Sequence, residues 1–154
     1  ETEEGIDLPG DYTPTAQERR GLEIYIAEGK GDCFHCHGTP FQILWSNNEF
    51  VNNGLDASPD SGLAQITKDP LDLGKFKTPS LRNLNWTAPY MHDGRFGTLE
   101  EVIEFYNSGI QSSSPNIDGS QKPRSLTAQD KADLLAFLNT LNDSSFVNNP
   151  AFRP

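Results

Sequence analysis

The chain has 154 residues, 34% of them hydrophobic, with 13 glycines and 11 prolines, which fits a single domain of short elements and long loops, large enough to bury a core. Its formal net charge of −10 argues against nucleic acid and anionic membrane surfaces as partners, because both demand basic patches. No apolar run approaches the roughly 18 residues that a membrane span requires, so none is expected.

Residues 1–12 read as a leader or linker: Glu1-Thr2-Glu3-Glu4 is acidic and Pro9-Gly10 is a break. The stretch lacks the charged-then-apolar profile of a targeting peptide, and the expectation is that any such peptide has already been removed. Thr13-Pro14 then predicts a helix start, with Thr13 as cap and Pro14 at the first helical position. Ala16 to Glu28 carries Leu22, Tyr25 and Ile26 at spacings of three and four, one buried stripe of an amphipathic helix. Gly29-Lys30-Gly31 ends it.

Next comes Cys33-Phe34-His35-Cys36-His37. Two cysteines separated by two residues and followed at once by histidine form the c-type haem attachment pattern. Each thiol can add to one vinyl group of a haem, while the adjoining imidazole is offered to the iron. The chain has only two cysteines, so no thiol is left for a disulfide or a second centre. A thioredoxin-like dithiol belongs near a βαβ pattern, which is missing here. Half a zinc site would need a second ligand pair with its own spacing, and a plain surface disulfide is the remaining rival. The expected cofactor is one covalent haem c on Cys33, Cys36 and His37. Such attachment generally takes place outside the bacterial cytoplasm, so a periplasmic or extracellular location is expected.

From Thr39 to Gly74 no periodicity lasts, and Asn52-Asn53-Gly54, Ser58-Pro59-Asp60 and Asp69-Pro70 are turn signals. A loop of this length is expected to wrap a cofactor, anchored by Phe41, Leu44, Trp45 and Phe50, or to be a surface excursion. Lys75, Lys77 and Arg82 then gather positive charge in an acidic chain. They form either a solvated basic edge or, through the Arg82 fork, a holder for haem propionates. Ala88 to Gly94 is a loop with Met91 and His92. Thr98 caps a helix with Glu101 completing a capping box, and Leu99, Val102, Ile103 and Tyr106 fall on one buried stripe before the stop at Gly109. After a Ser/Pro/Gly loop, Thr127 with Asp130 caps a last helix whose apolar face is Leu134, Leu135, Phe137, Leu138 and Leu141. The sum is an all-α, cytochrome c-like fold over residues 13–154, its first and last helices packed together.

Three further stretches, Gly74-Lys75-Phe76-Lys77-Thr78-Pro79-Ser80-Leu81-Arg82-Asn83, Ala88-Pro89-Tyr90-Met91-His92-Asp93-Gly94 and Thr98-Leu99-Glu100-Glu101-Val102, resemble a signature of the bacterial di-haem cytochrome c peroxidase and MauG-like family. The resemblance is to the C-terminal haem domain and runs from near the first helix through the closing helix to Phe146 and Phe152. Family members carry two haem motifs in one chain, and peroxide usually reacts at the N-terminal haem. A single motif here implies the electron-handling half.

Opposite His37, two residues compete for the iron. Met91 is the only methionine, on a loop after a proline, and a thioether there would raise the reduction potential. Tyr106 lies on the buried stripe of its helix. In the resembled domain the ligand sits on that helix, methionine in typical peroxidases and tyrosine in MauG-like members, and Tyr106 occupies that position. A phenolate would need ferric iron to drive off a proton ordinarily held to a pKa of about 10, and it would lower the potential. An open site or His92 completes the alternatives, although His92 is expected to order its loop or bond near a haem propionate, and His35 to be exposed and incidental. Trp45 and Trp86 either line an electron path or pack. The leading expectation is a mono-haem domain exchanging single electrons with a redox protein or enzyme partner; the alternative is a peroxidase or MauG-like enzyme acting with a second haem domain.

Overall fold

The computed structural model describes residues 12–152, so the leader expected over residues 1–12 lies, except for Tyr12, outside the described residues. Helix α1 (Ala16–Ile26) is capped by Thr15 instead of Thr13. The Thr15 hydroxyl accepts from Glu18 N at 3.3 Å, and the Glu18 carboxylate accepts from Thr15 N at 2.7 Å. Thr13 has alanine three residues on and cannot make this reciprocal pair; Thr15 has glutamate. The helix stops at Ile26, two residues short of Glu28, because Ala27 turns extended. The chain then folds back, with Gly31 N donating to Ile24 O at 3.0 Å and Cys33 N to Tyr25 O at 2.9 Å. A side chain at Gly31 would lie 2.7 Å from Ile24 O, so glycine permits the fold-back into the short helix α2 (Phe34–His37).

The closing long helix, α5 (Ala128–Asn139), carries the expected Thr127–Asp130 capping box. It packs on α1 at Gly21, where a Cβ would collide with the Asp133 carbonyl oxygen and come within 2.6 Å of Phe137 Cβ. This close approach lets Leu22, Ile24 and Tyr25 of α1 share a core with Leu134, Phe137 and Leu138 of α5. Tyr25 and Phe137 are fully buried, and Tyr25 also meets Trp45 edge-on, with ring centroids 5.6 Å apart. Burying each large apolar side chain contributes roughly 1.5–3 kcal/mol, so this helix pair and its aromatic cap carry much of the fold.

Between the two helices the chain is mostly loop, as expected, with one departure from an all-α fold. Strands β1 (Phe50–Val51) and β2 (Phe76–Lys77) pair antiparallel, Phe50 opposite Lys77 and Val51 opposite Phe76. Two residues per strand are too few to leave an alternating pattern in sequence. The pair clamps the two ends of the long excursion, which holds the short helix α3 (Ala64–Thr67) and a 3₁₀ turn at Pro70–Asp72. Of its expected anchors only Trp45 is buried; Phe41 is 82% exposed, and Leu44 and Phe50 are also exposed. Turn-rich backbone bends the chain before those side chains reach the core.

Helix α4 (Leu99–Glu104) has the Thr98–Glu101 capping box and then continues as a π-turn over Phe105–Gly109. The extra residue in that turn rotates the side chains after Glu104. Leu99 and Ile103 are buried as the stripe predicts, but Phe105 joins them and Tyr106 is half-buried. Phe105, Leu55 and Ile110 form a second small core, against which Met91, Phe96, Tyr106 and Ile117 pack. A further short helix, α6 (Ser144–Val147), follows α5. Among the described residues no helix is long and apolar enough to cross a membrane.

Candidate haem-binding site

The attachment motif is fixed from both sides before any cofactor is considered. At its start, Cys33 N is tied to the end of α1. Past its end, the buried Tyr25 hydroxyl donates to Gly38 O at 2.8 Å, and Gly38 adopts a φ of 77°, which glycine tolerates. Asn47 reaches back to the same turn, its side-chain amide donating to His35 O at 3.1 Å and its backbone N to Cys36 O at 2.9 Å. Burial pushes the Cys33 thiol up to about 12 and the Cys36 thiol up to about 11, so both stay protonated near neutrality. The two are not joined in a disulfide.

His37 is held by the stretch that follows β2. Its Nδ1 lies 3.1 Å from Pro79 O. A carbonyl oxygen only accepts, so Nδ1 carries the proton and Nε2 keeps its lone pair. Burial drives the imidazole down to about 4, against the backbone hydrogen bonds that favour its charged form. It is therefore neutral, the state in which it can bind a metal. The Pro79 segment is itself pinned: Ser46 Oγ donates to Thr78 O at 2.8 Å, Ser80 Oγ to Leu44 O at 2.6 Å, and Leu81 N to Trp45 O at 3.3 Å.

Met91 and Tyr106, the two candidates for the other side of an iron, are brought together by a residue that sequence reasoning passed over. Asn53 Nδ2 lies 3.2 Å from Tyr106 Oη and 3.7 Å from Met91 Sδ. Burial raises the Tyr106 hydroxyl to about 12, although the Asn53 hydrogen bond pulls the other way. His92 points elsewhere: it stacks on Phe76 with centroids 3.8 Å apart, and its Nε2 is 3.2 Å from Asp60 Oδ2. It orders the loop. Trp45 is core packing, whereas Trp86 is exposed.

Arg82 is exposed, and its guanidinium makes no hydrogen bond among the described residues. The buried cation is Arg124, 7% exposed, with Nη1 donating to Asp32 Oδ2 at 2.9 Å and Nη2 to Ser120 O at 3.0 Å. Asp32 accepts through its other oxygen from exposed His35. Among the described residues Arg124 Nε is buried without a partner, as are Thr78 Oγ1 and Gln121 Oε1. An orphaned buried donor costs about 1–3 kcal/mol. The Arg124 charge opposes, without cancelling, the burial that raises the thiols of Cys33 and Cys36 and the Tyr106 hydroxyl. A haem fits this set: two thiols, a neutral imidazole with a free nitrogen, an oxygen and a sulfur gathered at one amide, and an unmatched N–H suited to a carboxylate. Among the described residues no cluster of three His, Cys, Asp or Glu stands ready to hold a bare metal ion.

No family model matches the chain. Individual proteins do. It is 36% identical over 159 aligned residues to cytochrome-c peroxidase IdrP1 of Denitromonas iodatirespirans, covering 83% of the chain and 41% of the relative. With the methylamine utilization protein MauG of Methylorubrum extorquens it shares 35% over 128 residues, 82% of the chain and 35% of the relative. The crystal structure of a MauG-like protein associated with microbial copper homeostasis superposes with a TM-score of 0.79 at 42% identity, over 93% of the chain and 52% of that protein. The chain belongs to the bacterial di-haem cytochrome c peroxidase and MauG-like family. Within that family its counterpart is the C-terminal haem domain. The chain spans about two fifths of the length of the curated peroxidase it matches. These peroxidase and MauG relatives favour the enzyme alternative over a domain that only transfers electrons.

Arg124, Asn53 and the Pro79 carbonyl all escaped the sequence reading. Asn53 sits in an Asn-Asn-Gly turn signal, Arg124 in a Ser/Pro/Gly loop, and a carbonyl has no side-chain signature. For none of them does a local pattern distinguish a cofactor contact from an ordinary loop residue.

Proposed function

We propose that this chain is the electron-handling haem domain of a di-haem peroxidase or MauG-like enzyme, working with a second haem domain where peroxide reacts, in the periplasm or outside the cell. A bound haem supplies reversible one-electron chemistry. Cys33 and Cys36 would tether it, His37 would offer its Nε2 to the metal while Nδ1–H is anchored on Pro79 O, and Tyr106 or Met91 would supply a further ligand. Arg124 is suited to a haem carboxylate through its orphaned Nε, and exposed Arg82 to one at the rim. The observation that carries this reading is the His37 arrangement. An attachment motif whose histidine is neutral, with Nδ1–H anchored on the Thr78-Pro79-Ser80 stretch and Nε2 left unprotonated, is suited to ligate a metal. An exchange partner would be a redox protein or enzyme, met at the surface.

The test begins with mass spectrometry of protein matured with haem, which is expected to show one covalent haem per chain and none after Cys33→Ala with Cys36→Ala. Reversible uptake of one electron per chain, with no peroxide turnover until a second haem domain is added, is the expected behaviour. Rapid turnover of peroxide by the chain alone would assign it the peroxide-reacting role instead. Absence of covalent haem would end the proposal.

A further inference from the structure

Asn53 lies on a stretch of backbone fixed from both sides. The preceding Asn52 is 2% exposed; its side-chain amide donates to Ser114 Oγ at 2.9 Å and to Pro115 O at 2.7 Å, and its Oδ1 accepts from Gly54 N at 2.9 Å. Gly54 adopts a φ of 72°, and a Cβ there would come within 2.7 Å of Ile117 Cδ1 and 2.9 Å of Ile110 Cγ2. The side chain between them is therefore presented from a rigid base, and its amide sees both Tyr106 Oη and Met91 Sδ. An NH₂ group has two hydrogens, one for each of these atoms, and it cannot accept. Met91 meets it from a backbone at φ 71°, a conformation methionine rarely adopts, while Tyr106 meets it from the π-turn. Two irregular segments thus converge on one amide.

We propose that Asn53 is the positioning residue of the sixth-ligand site, its amide N–H holding the Tyr106 oxygen in place and drawing electron density from it, with Met91 tied back by the second hydrogen. The inference rests on the haem-domain reading above and on Tyr106 as the ligand. A hydrogen bond donated to a metal-bound phenolate weakens its donation, so removing that bond strengthens the ligand and favours the ferric state.

The test compares the haem-loaded wild-type chain with Asn53→Leu, which removes the donor, and Asn53→Asp, which keeps the shape but exchanges the donor for an acceptor. Folding is checked by circular dichroism and attachment by mass. Asn53→Leu is expected to move the phenolate-to-iron band to longer wavelength and to lower the reduction potential. Asn53→Asp is expected to disturb the same band more, through repulsion of the phenolate or retention of its proton. If Asn53→Leu does not fold, the isosteric Asn53→Asp decides alone. A wild-type spectrum and potential in Asn53→Asp would overturn the proposal, because a role in packing alone survives that change. A ferric spectrum unmoved by Tyr106→Phe would also overturn it. In both cases covalent haem and reversible electron uptake would persist, which separates this failure from failure of the haem-domain reading.

Discussion

Tyr25 shows how much a single side chain does for the site. Its ring is fully buried between Trp45 and Phe137, and its hydroxyl donates to the carbonyl of buried Gly38, just past the attachment motif. Burial raises its pKa well above the ordinary value, so the hydroxyl remains a donor at any working pH. Replacing Tyr25 by Phe keeps the aromatic packing and leaves the Gly38 carbonyl unmatched, an expected loss of about 1–3 kcal/mol. Urea denaturation of the two proteins measures it, and equal midpoints would show that the carbonyl finds another partner. The sequence identified Tyr25 as a stripe residue of the first helix but not as the tie to the motif. A hydrogen bond to a backbone carbonyl 13 positions away leaves no periodic trace. The same holds for Asn53 and Arg124, whose functions depend on what the fold brings to them. By contrast the Cys33-x-x-Cys36-His37 spacing stands out in the sequence by itself, because it is the spacing that haem attachment would dictate.

At the scale of elements, the helix pair α1–α5 depends on how closely two backbones approach at Gly21. Alanine in a helix interior is ordinarily favoured over glycine by about 1 kcal/mol. Here the added methyl would strike the Asp133 carbonyl and Phe137 Cβ, and neither is the free end of a flexible side chain. Overpacking of this kind costs about 1–3 kcal/mol or more, so Gly21→Ala is expected to be net destabilising. A raised melting temperature would mean that the helices can slide apart without loss. Asp130 ties the start of α5 by charge to the turn after α1: its carboxylate accepts from Thr127 N and Oγ1 at 2.8 and 2.7 Å and pairs with Lys30 at 2.9 Å. The Lys30 ammonium, followed by the Thr127 cap, holds it down to about 2, below the ordinary value of about 3.9. A carboxyl whose folded value is the lower one stabilises the fold above the unfolded value and loses that contribution as pH falls through the folded one. The gap in stability between wild type and Asp130→Asn is thus expected to be constant near neutrality and to close between about pH 4 and pH 2. Persistence of the full gap at pH 2 would assign it to the neutral cap geometry instead. Helices α4 and α5 and their capping boxes were readable because local side-chain chemistry sets them. The π-turn after Glu104 and the β1–β2 pair were not, because each depends on what packs against it.

Over the whole molecule, acidic residues outnumber basic ones for a net charge of −10, and half of the twelve basic residues are held in ion pairs. Arg20, Lys30, Lys75, Arg95, Arg124 and Lys131 each pair with a carboxylate inside the domain. Apart from the buried Arg124–Asp32 pair, such exposed or half-exposed ion pairs add little stability, but they withdraw local positive charge and leave a field that is acidic at long range. A redox partner with a basic docking face would be drawn by that field, and the attraction acts on the rate of encounter more than on the complex once formed. Raising ionic strength from about 0.01 to about 0.15 M shortens the screening distance from about 30 to about 8 Å. Over that range the second-order rate of electron exchange between the haem-loaded chain and a small basic redox protein is expected to fall by roughly tenfold or more, with little change for a neutral one. Stopped-flow mixing at several salt concentrations measures both slopes. A flat profile with the basic partner would show that docking is governed by an apolar patch such as exposed Phe41 and Ile43 beside the attachment motif, and that the acidic field is incidental to exchange.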